Sequence, residues 1–261
     1  MPSALLCETV TGRTTAEVVA ARDAAAPVDM IELRLDGVVD LDVARALHAR
    51  RTPVIVTCRP QWEGGQFAGA EEDRFRILAQ ALGLGTDYVD IEWGALANAQ
   101  GKSRFGELID ANRSRVIVSS HDFSGIPGDL QTRVRAMRAT GAAVIKIAIT
   151  AARLADTLPL VDIGKEGDAV VIGMGDPGVP SRLLAARFGS RWTYAGNGVA
   201  PGQIPAARML DEFRFRAIGP DTMIFGVVGA DILNSPLFAR HNAAFSAASV
   251  DAVCIDRKSV V

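Results

Sequence analysis

The chain has 261 residues, of which 49% are hydrophobic and 22% charged, and its formal net charge is −2. This composition fits one large globular domain and gives no basic surface that would favour nucleic acid as a partner. No apolar run is long enough to span a membrane, the first residues do not resemble a signal peptide, and the three cysteines are widely spaced. These features predict a cytoplasmic protein without membrane contact, a disulfide framework or a zinc site.

Short apolar runs alternate with longer amphipathic stretches along most of the chain. The predicted strands are Ala4–Val10, Met30–Leu35, Val54–Arg59, Tyr88–Trp93, Val116–His121, Val144–Ile149, Ala169–Gly175 and Trp192–Ala195. The predicted helices include Thr15–Ala25, Glu71–Ala81, Leu130–Thr140, Ala152–Leu160, Ser181–Phe188 and Ile204–Phe213. Eight βα units in a row predict an α/β fold of the (β/α)8 TIM barrel type. An open doubly wound sheet is the alternative, but no glycine fingerprint follows the first strand.

A lysine interrupts the sixth apolar run. Lys146 lies between Ile145 and Ile147, and a buried position disfavours the charged form of an amine. A neutral amine attacks carbonyl carbon, so this lysine suggests Schiff-base chemistry. The alternative is a lysine that reaches the surface or pairs with a buried carboxylate. His121 at the end of the fifth run strengthens the catalytic interpretation, because histidine moves protons near neutral pH.

Other polar residues also stand in the predicted strands or just beyond their ends. The carboxyl ends of barrel strands converge on one mouth, where barrel enzymes carry out their chemistry. A lysine, a histidine and a glutamate form a complete set for carbonyl chemistry, and arginines bind carboxylates. For Arg34 an ion pair with Glu32, two residues away on the same strand face, is the strong alternative. The candidate residues are Glu32, Arg34, Arg59, Glu63, Glu92, His121, Lys146 and Arg182.

Six motifs in order make residues 4 to about 215 resemble type I 3-dehydroquinate dehydratase. They are Glu32–Asp36, Cys58–Arg59 with Glu63–Gly65, Ser120–Phe123, Val144–Ala148, Met174–Gly175 with Ser181–Arg182, and Ala200–Ile204. The resemblance implies dehydration of 3-dehydroquinate to 3-dehydroshikimate by a barrel that needs no cofactor or metal and forms a homodimer. It implies that Lys146 forms the Schiff base, His121 moves protons and Glu63 orients His121. It assigns substrate binding to Glu32, Arg34, Arg59, Arg182 and Gln203. Val199 departs from the family pattern, which usually has a serine there.

Residues 221–261 lie beyond the predicted barrel domain, residues 1–220. The run Ile224–Val228, Gly229 and the segment His241–Phe245 resemble the start of shikimate dehydrogenase, and Asn234–Leu237 keeps part of its substrate signature. We expect a short C-terminal extension without dehydrogenase activity. It is either cut from a longer dehydratase–dehydrogenase fusion or a remnant of one.

Two other functions remain open at this point. Another class I Schiff-base barrel enzyme, such as an aldolase, would share Lys146. A catalytically idle barrel would serve as a binding module, and Val199 favours it weakly.

Overall fold

One eight-stranded sheet organises the structure. The computed structural model describes residues 4–97, 99–228 and 236–257. The strands of this sheet are β1 (Leu5–Val10), β2 (Met30–Arg34), β3 (Val54–Thr57), β4 (Tyr88–Glu92), β5 (Val116–Asp122), β6 (Val144–Thr150), β7 (Ala169–Met174) and β8 (Trp192–Ala195). Their order is β7-β6-β5-β4-β3-β2-β1-β8, and the strands from β1 to β5 pair in parallel. This is the strand order of a (β/α)8 barrel, so the predicted fold is confirmed.

The two end strands of the sheet are also connected to each other. The N–H of Arg191, just before β8, donates to the carbonyl of Ala169 in β7 at 2.9 Å. The carbonyl of Arg191 accepts from the N–H of Leu5 in β1 at 3.1 Å. One residue thus links β8 to strands on both sides of it.

Helices follow the strands as the alternating pattern predicts. They are α1 (Thr15–Asp23), α2 (Val43–Leu47), α3 (Glu71–Gly83), α4 (Ala99–Ala111), α5 (Leu130–Arg138), α6 (Leu158–Lys165), α7 (Val179–Leu183) and α8 (Ala206–Asp211). The largest differences from the predicted bounds are that α6 begins later than Ala152 and α7 ends before Phe188. Pro159 and Pro180 lie in the first turns of α6 and α7, where a missing N–H costs nothing, and so favour these start points.

Contacts between Cα atoms divide the chain into two compact units. One consists of Cys7–His121 and Asp129–Lys146. Its strands are buried on both faces, as parallel strands covered by helices are, and Leu33, Val56 and Val118 are fully inaccessible. This unit contains most of the candidate site residues.

The other unit consists of Met1–Leu6, Asp122–Gly128 and Ile147–Val261. Here α6 packs closely against the segment that follows α7. A Cβ atom at Gly164 would lie only 1.9 Å from the carbonyl oxygen of Phe188, so this contact requires glycine.

The C-terminal extension forms a small β-α-β module within the second unit. It consists of β9 (Met223–Val228), α9 (Leu237–Ala247) and β10 (Ala252–Arg257), with β9 and β10 paired in parallel. β9 contains the run Ile224–Val228 and α9 the segment His241–Phe245 that resemble the start of shikimate dehydrogenase, whereas β10 was not predicted. Gly229, Asn234 and Ser235 lie outside the described residues.

Asn242 attaches this module to the end of α8. Its side chain is buried and donates to the carbonyls of Glu212 at 2.9 Å and Cys254 at 3.0 Å. It also accepts from the N–H of Cys254 at 2.6 Å. The ring of Phe238 packs 5.7 Å from that of Phe213. The extension is therefore fixed to its own unit by both polar and apolar contacts.

Among the described helices, none combines the length and the apolar character needed to cross a bilayer.

A chain that ends at Thr222 should still fold as a barrel, because all eight strands of the main sheet precede Met223. We expect a far-ultraviolet circular dichroism spectrum that loses only the contribution of α9, β9 and β10, and a lower urea midpoint, since Phe213 loses its contact with Phe238. Phe238→Ala in the full chain should reproduce part of that loss. Absence of cooperative unfolding in the shortened chain would show that the extension belongs to the barrel domain.

Candidate active site

The amine of Lys146 lies between two carboxylates inside the first unit. Lys146 is only 4% exposed, and its Nζ lies 3.3 Å from Glu32 Oε1 and 3.2 Å from Asp90 Oδ2. Glu32 belongs to β2, Asp90 to β4 and Lys146 to β6. The pairing with buried carboxylates that the sequence left open is therefore present, with two partners.

Glu32 is held by neutral donors as well as by the amine. The hydroxyl of Thr57 donates to its Oε1 at 2.9 Å, and that of Thr9 donates to its Oε2 at 3.1 Å. Both carboxylate oxygens thus accept from protein groups, which fixes Glu32 beside Lys146.

The predicted alternative of an Arg34–Glu32 ion pair is wrong. Arg34 instead makes a bidentate pair with Asp36, at 2.8 Å from Nε to Oδ1 and 2.9 Å from Nη2 to Oδ2. Because β2 ends at Arg34, the chain turns there and brings Asp36 back onto the guanidinium. Asp36 Oδ2 also accepts from the N–H of Gln66 at 2.9 Å. Burial alone would raise the pKa of Asp36, but the hydrogen bonds and charge of Arg34 hold it below its ordinary value.

Arg59 lies just beyond β3 and is surrounded by protein acceptors. Its Nη1 donates to Glu92 Oε1 at 2.7 Å and to Ser119 Oγ at 2.8 Å. Its Nη2 lies 3.0 Å from Asp90 Oδ2. Arg74, which is fully buried on α3, donates to the other oxygen of Glu92. Arg59 thus belongs to a network of charge-assisted hydrogen bonds that contains Glu92 and Asp90.

Asp90 is a site residue that the sequence analysis missed. It lies two positions before Glu92 on β4, and residues two apart share one face of a strand. The same alternation had paired Glu32 with Arg34, so the signal was present. Ser119 Oγ donates to Asp90 Oδ1 at 2.5 Å, which adds a third donor residue to Arg59 and Lys146.

Glu63 and His121 form a hydrogen-bonded pair. Glu63 Oε1 lies 2.8 Å from His121 Nδ1 and also accepts from the backbone N–H of His121 at 3.0 Å. The turn Gln61–Glu63 presents this carboxylate, and the chain then folds back over Arg59. A Cβ atom at Gly65 would lie 2.0 Å from the carbonyl oxygen of Arg59, so only glycine allows this path.

Burial changes the proton affinities of both members of this pair. Burial raises the pKa of Glu63 to about 8, and Arg59 opposes that rise. Burial, with the charges of Arg59 and Lys146, lowers the pKa of His121 well below its ordinary value. Near neutral pH the imidazole is therefore unprotonated, and a neutral imidazole is able to accept a proton.

Arg182 and Gln203 lie in the second unit. Arg182 is 1% exposed, and its Nη1 and Nη2 donate to the carbonyls of Tyr194 and Pro201, each at 3.2 Å. Within the described residues, it has no carboxylate at ion-pair distance, and burial lowers its pKa to about 10. The side chain of Gln203 accepts from the N–H of Ala200 at 3.0 Å. A buried guanidinium held only by neutral groups is suited to bind an anion.

The fold and the cluster define a (β/α)8-barrel protein with a buried amine and a buried histidine–glutamate pair, a combination suited to carbonyl chemistry. The chain belongs to the type I 3-dehydroquinase family, whose model matches residues 6–220.

Relatives include both short and long proteins. The 3-dehydroquinate dehydratase of Methanothermobacter thermautotrophicus is 35% identical, over 76% of this chain and 91% of that protein. The bifunctional 3-dehydroquinate dehydratase/shikimate dehydrogenase of Arabidopsis thaliana is also 35% identical, over 87% of this chain but only 39% of its own length. A solved structure of dehydroquinate dehydratase and shikimate dehydrogenase from S. pombe covers all of this chain and 53% of its own, with a TM-score of 0.68 and 22% identity. At that identity the likeness shows the fold.

The raised pKa of Glu63 makes stability depend on pH. A carboxyl whose folded pKa is about 8, above the ordinary 4.5, stabilises the fold fully below pH 4.5 and loses this contribution as pH rises through 8. Relative to Glu63→Gln, the free energy of unfolding of the wild type should fall by roughly 1.4 kcal/mol per pH unit across that window. Urea unfolding between pH 5 and 9 measures it, with exposed Glu107→Gln as the control. Parallel curves for wild type and Glu63→Gln would contradict the shift.

Proposed function

We propose that the chain catalyses the dehydration of 3-dehydroquinate to 3-dehydroshikimate through a Schiff base on Lys146. The observation that carries this proposal is the buried amine of Lys146 in the same cluster as an unprotonated His121 that Glu63 orients. Family membership and the names of the relatives support the substrate.

The residues match the steps of such a reaction. The amine of Lys146 attacks the substrate ketone, and loss of water leaves an iminium. The iminium withdraws electrons, so the neighbouring C–H becomes acidic, and His121 accepts its proton to give an enamine. The enamine expels the β-hydroxyl, to which His121 returns the proton. Water then hydrolyses the new imine, releasing the product and the free amine.

Substrate binding is assigned to arginines and amide groups. Arg182 binds the carboxylate of the substrate, because its guanidinium is buried among neutral partners. Arg34 donates only two of its five N–H groups to Asp36, and Gln203 supplies an amide. Glu32 already forms an ion pair with Lys146, and Arg59 forms one with Asp90. Besides binding the substrate, they therefore help to hold these two residues in place.

Finer parts of the function are proposals of the same kind. The family resemblance supports a homodimer, which light scattering tests, and a cytoplasmic location. The Arabidopsis relative supports a second candidate: this chain as the dehydratase part of a bifunctional dehydratase–dehydrogenase. An aldolase-like enzyme would share Lys146 but has no need of the Glu63 turn. Formation of an enone absorbance from 3-dehydroquinate separates the dehydratase from an aldolase or an idle barrel.

Borohydride added during turnover should reduce the iminium and leave a permanent adduct. Mass spectrometry should locate it on the peptide that contains Lys146, and Lys146→Ala should abolish it. Lys165→Ala is the matched control, because this exposed lysine on α6 should leave the adduct unchanged. An adduct on Lys165, or none with an active enzyme, would overturn the assignment.

His121→Ala should separate imine formation from proton transfer. The amine remains, so the covalent intermediate should form slowly and accumulate, while turnover falls at least roughly 100-fold with the loss of a general base. Intact-mass measurement during turnover follows the intermediate. Exposed His48→Ala should match the wild type. Near-normal turnover of His121→Ala would assign the proton transfer to another residue.

A further inference from the structure

The two carboxylates beside Lys146 are held by different kinds of partner. Glu32 accepts from the neutral hydroxyls of Thr9 and Thr57 in addition to the amine. Asp90, which is fully buried, is shared between two cations: its Oδ2 lies 3.2 Å from Lys146 Nζ and 3.0 Å from Arg59 Nη2. Asp90 is therefore the direct link between the amine and the arginine network.

Asp90 stays ionised in this environment. Burial alone would raise its pKa, but the charges of Arg59 and Lys146 outweigh burial and hold the pKa below the ordinary range. A carboxylate whose pKa is lowered is a weak base, so Asp90 does not take the proton of the amine. The charged, titratable and hydrogen-bonding groups that face it are Glu32 from β2, Arg59 and Glu63 beyond β3, Glu92 from β4, Ser119 and His121 from β5, and Lys146 from β6.

We propose that Asp90 is a positioning residue that serves as the counter-ion of Lys146 Nζ, both as the resting ammonium and as the iminium. This role rests on the proposed Schiff base. When an ammonium and a ketone form an iminium, the new C=N bond replaces the C=O bond. Two protons of the nitrogen leave with the oxygen as water, and one stays. The nitrogen carries one positive charge before and after, so one fixed anion at 3.2 Å stabilises both states.

Asp90→Asn should lower the amount of iminium as well as the rate. Asparagine keeps the shape but removes the negative charge that lies 3.2 Å from the nitrogen, so the charged iminium loses its fixed anion. The fraction of enzyme that borohydride traps as an adduct with 3-dehydroquinate should fall at least about tenfold. Turnover should fall at least about tenfold, which corresponds to one pKa unit of lost stabilisation of the iminium.

Ser119→Ala is the matched control, because it removes a neutral donor to Asp90 and an acceptor of Arg59 without changing any charge. Its trapped fraction should fall far less than that of Asp90→Asn, because the charge beside the nitrogen is kept. A purely structural role for Asp90 within the network would lower the trapped fraction of both variants alike. Equal trapped fractions for Asp90→Asn and Ser119→Ala therefore overturn the proposal.

A double-mutant cycle tests the same coupling without substrate. Asp90→Asn should lower the urea midpoint less in a Lys146→Met background than in the wild type, because the cation that needs the counter-ion is gone. Equal losses in the two backgrounds overturn the proposal. If Asp90→Asn alone is unfolded, a double variant that is also unfolded overturns it too. If the wild type does not turn over 3-dehydroquinate, the proposed dehydratase function is overturned. The double-mutant cycle would still decide whether Asp90 is the counter-ion of Lys146.

Discussion

Placing a positive nitrogen inside a barrel is the constraint on which the rest of the site depends. An unpaired buried charge costs several kcal/mol, so the sequence must supply a matching anion near Lys146. It supplies Glu32 and Asp90, and these anions in turn allow further cations to be buried. Arg59 joins Asp90 to Glu92, and Arg74 completes the pairing of Glu92 from α3. Three cations and three carboxylates balance, and the alternate strands β2, β4 and β6 of the barrel provide most of them.

This balance also sets the chemistry of the histidine–glutamate pair. Positive charge on Arg59 and Lys146 adds to burial in keeping His121 unprotonated. Glu63 fixes the ring and the backbone of His121 with one oxygen, and Gly65 permits the close turn that brings Glu63 there. Backbone geometry and electrostatics thus lead to the same result, a neutral imidazole held in one orientation.

The sequence predicts the strands better than the contacts between side chains. Apolar runs defined all eight strands of the sheet to within two residues at either end, because burial on both faces leaves a strong pattern. The observed helix bounds differ from the predicted ones where prolines determine the first turn. Strand β10 was not predicted because its apolar core, Val253–Ile255, is too short to give a clear strand pattern. Side-chain pairing was harder to predict. Arg34 pairs with Asp36 instead of Glu32 because β2 ends at Arg34 and the chain turns there. Periodicity alone does not show where a strand ends and a turn begins.

Arg182 has a different kind of consequence. Within the described part of the chain, Arg182 donates to two carbonyl oxygens while its Nε lacks a hydrogen-bond partner. Buried Arg59, Arg74 and Lys146, by contrast, all pair with carboxylates. Arg182 is thus a point of local frustration. Such positions persist when stability is traded for function. An anion that bound at Arg182 would supply the partner that this guanidinium lacks in the free protein. Replacing this arginine by an apolar residue of similar size would therefore favour rigidity of the free barrel at the expense of that partner.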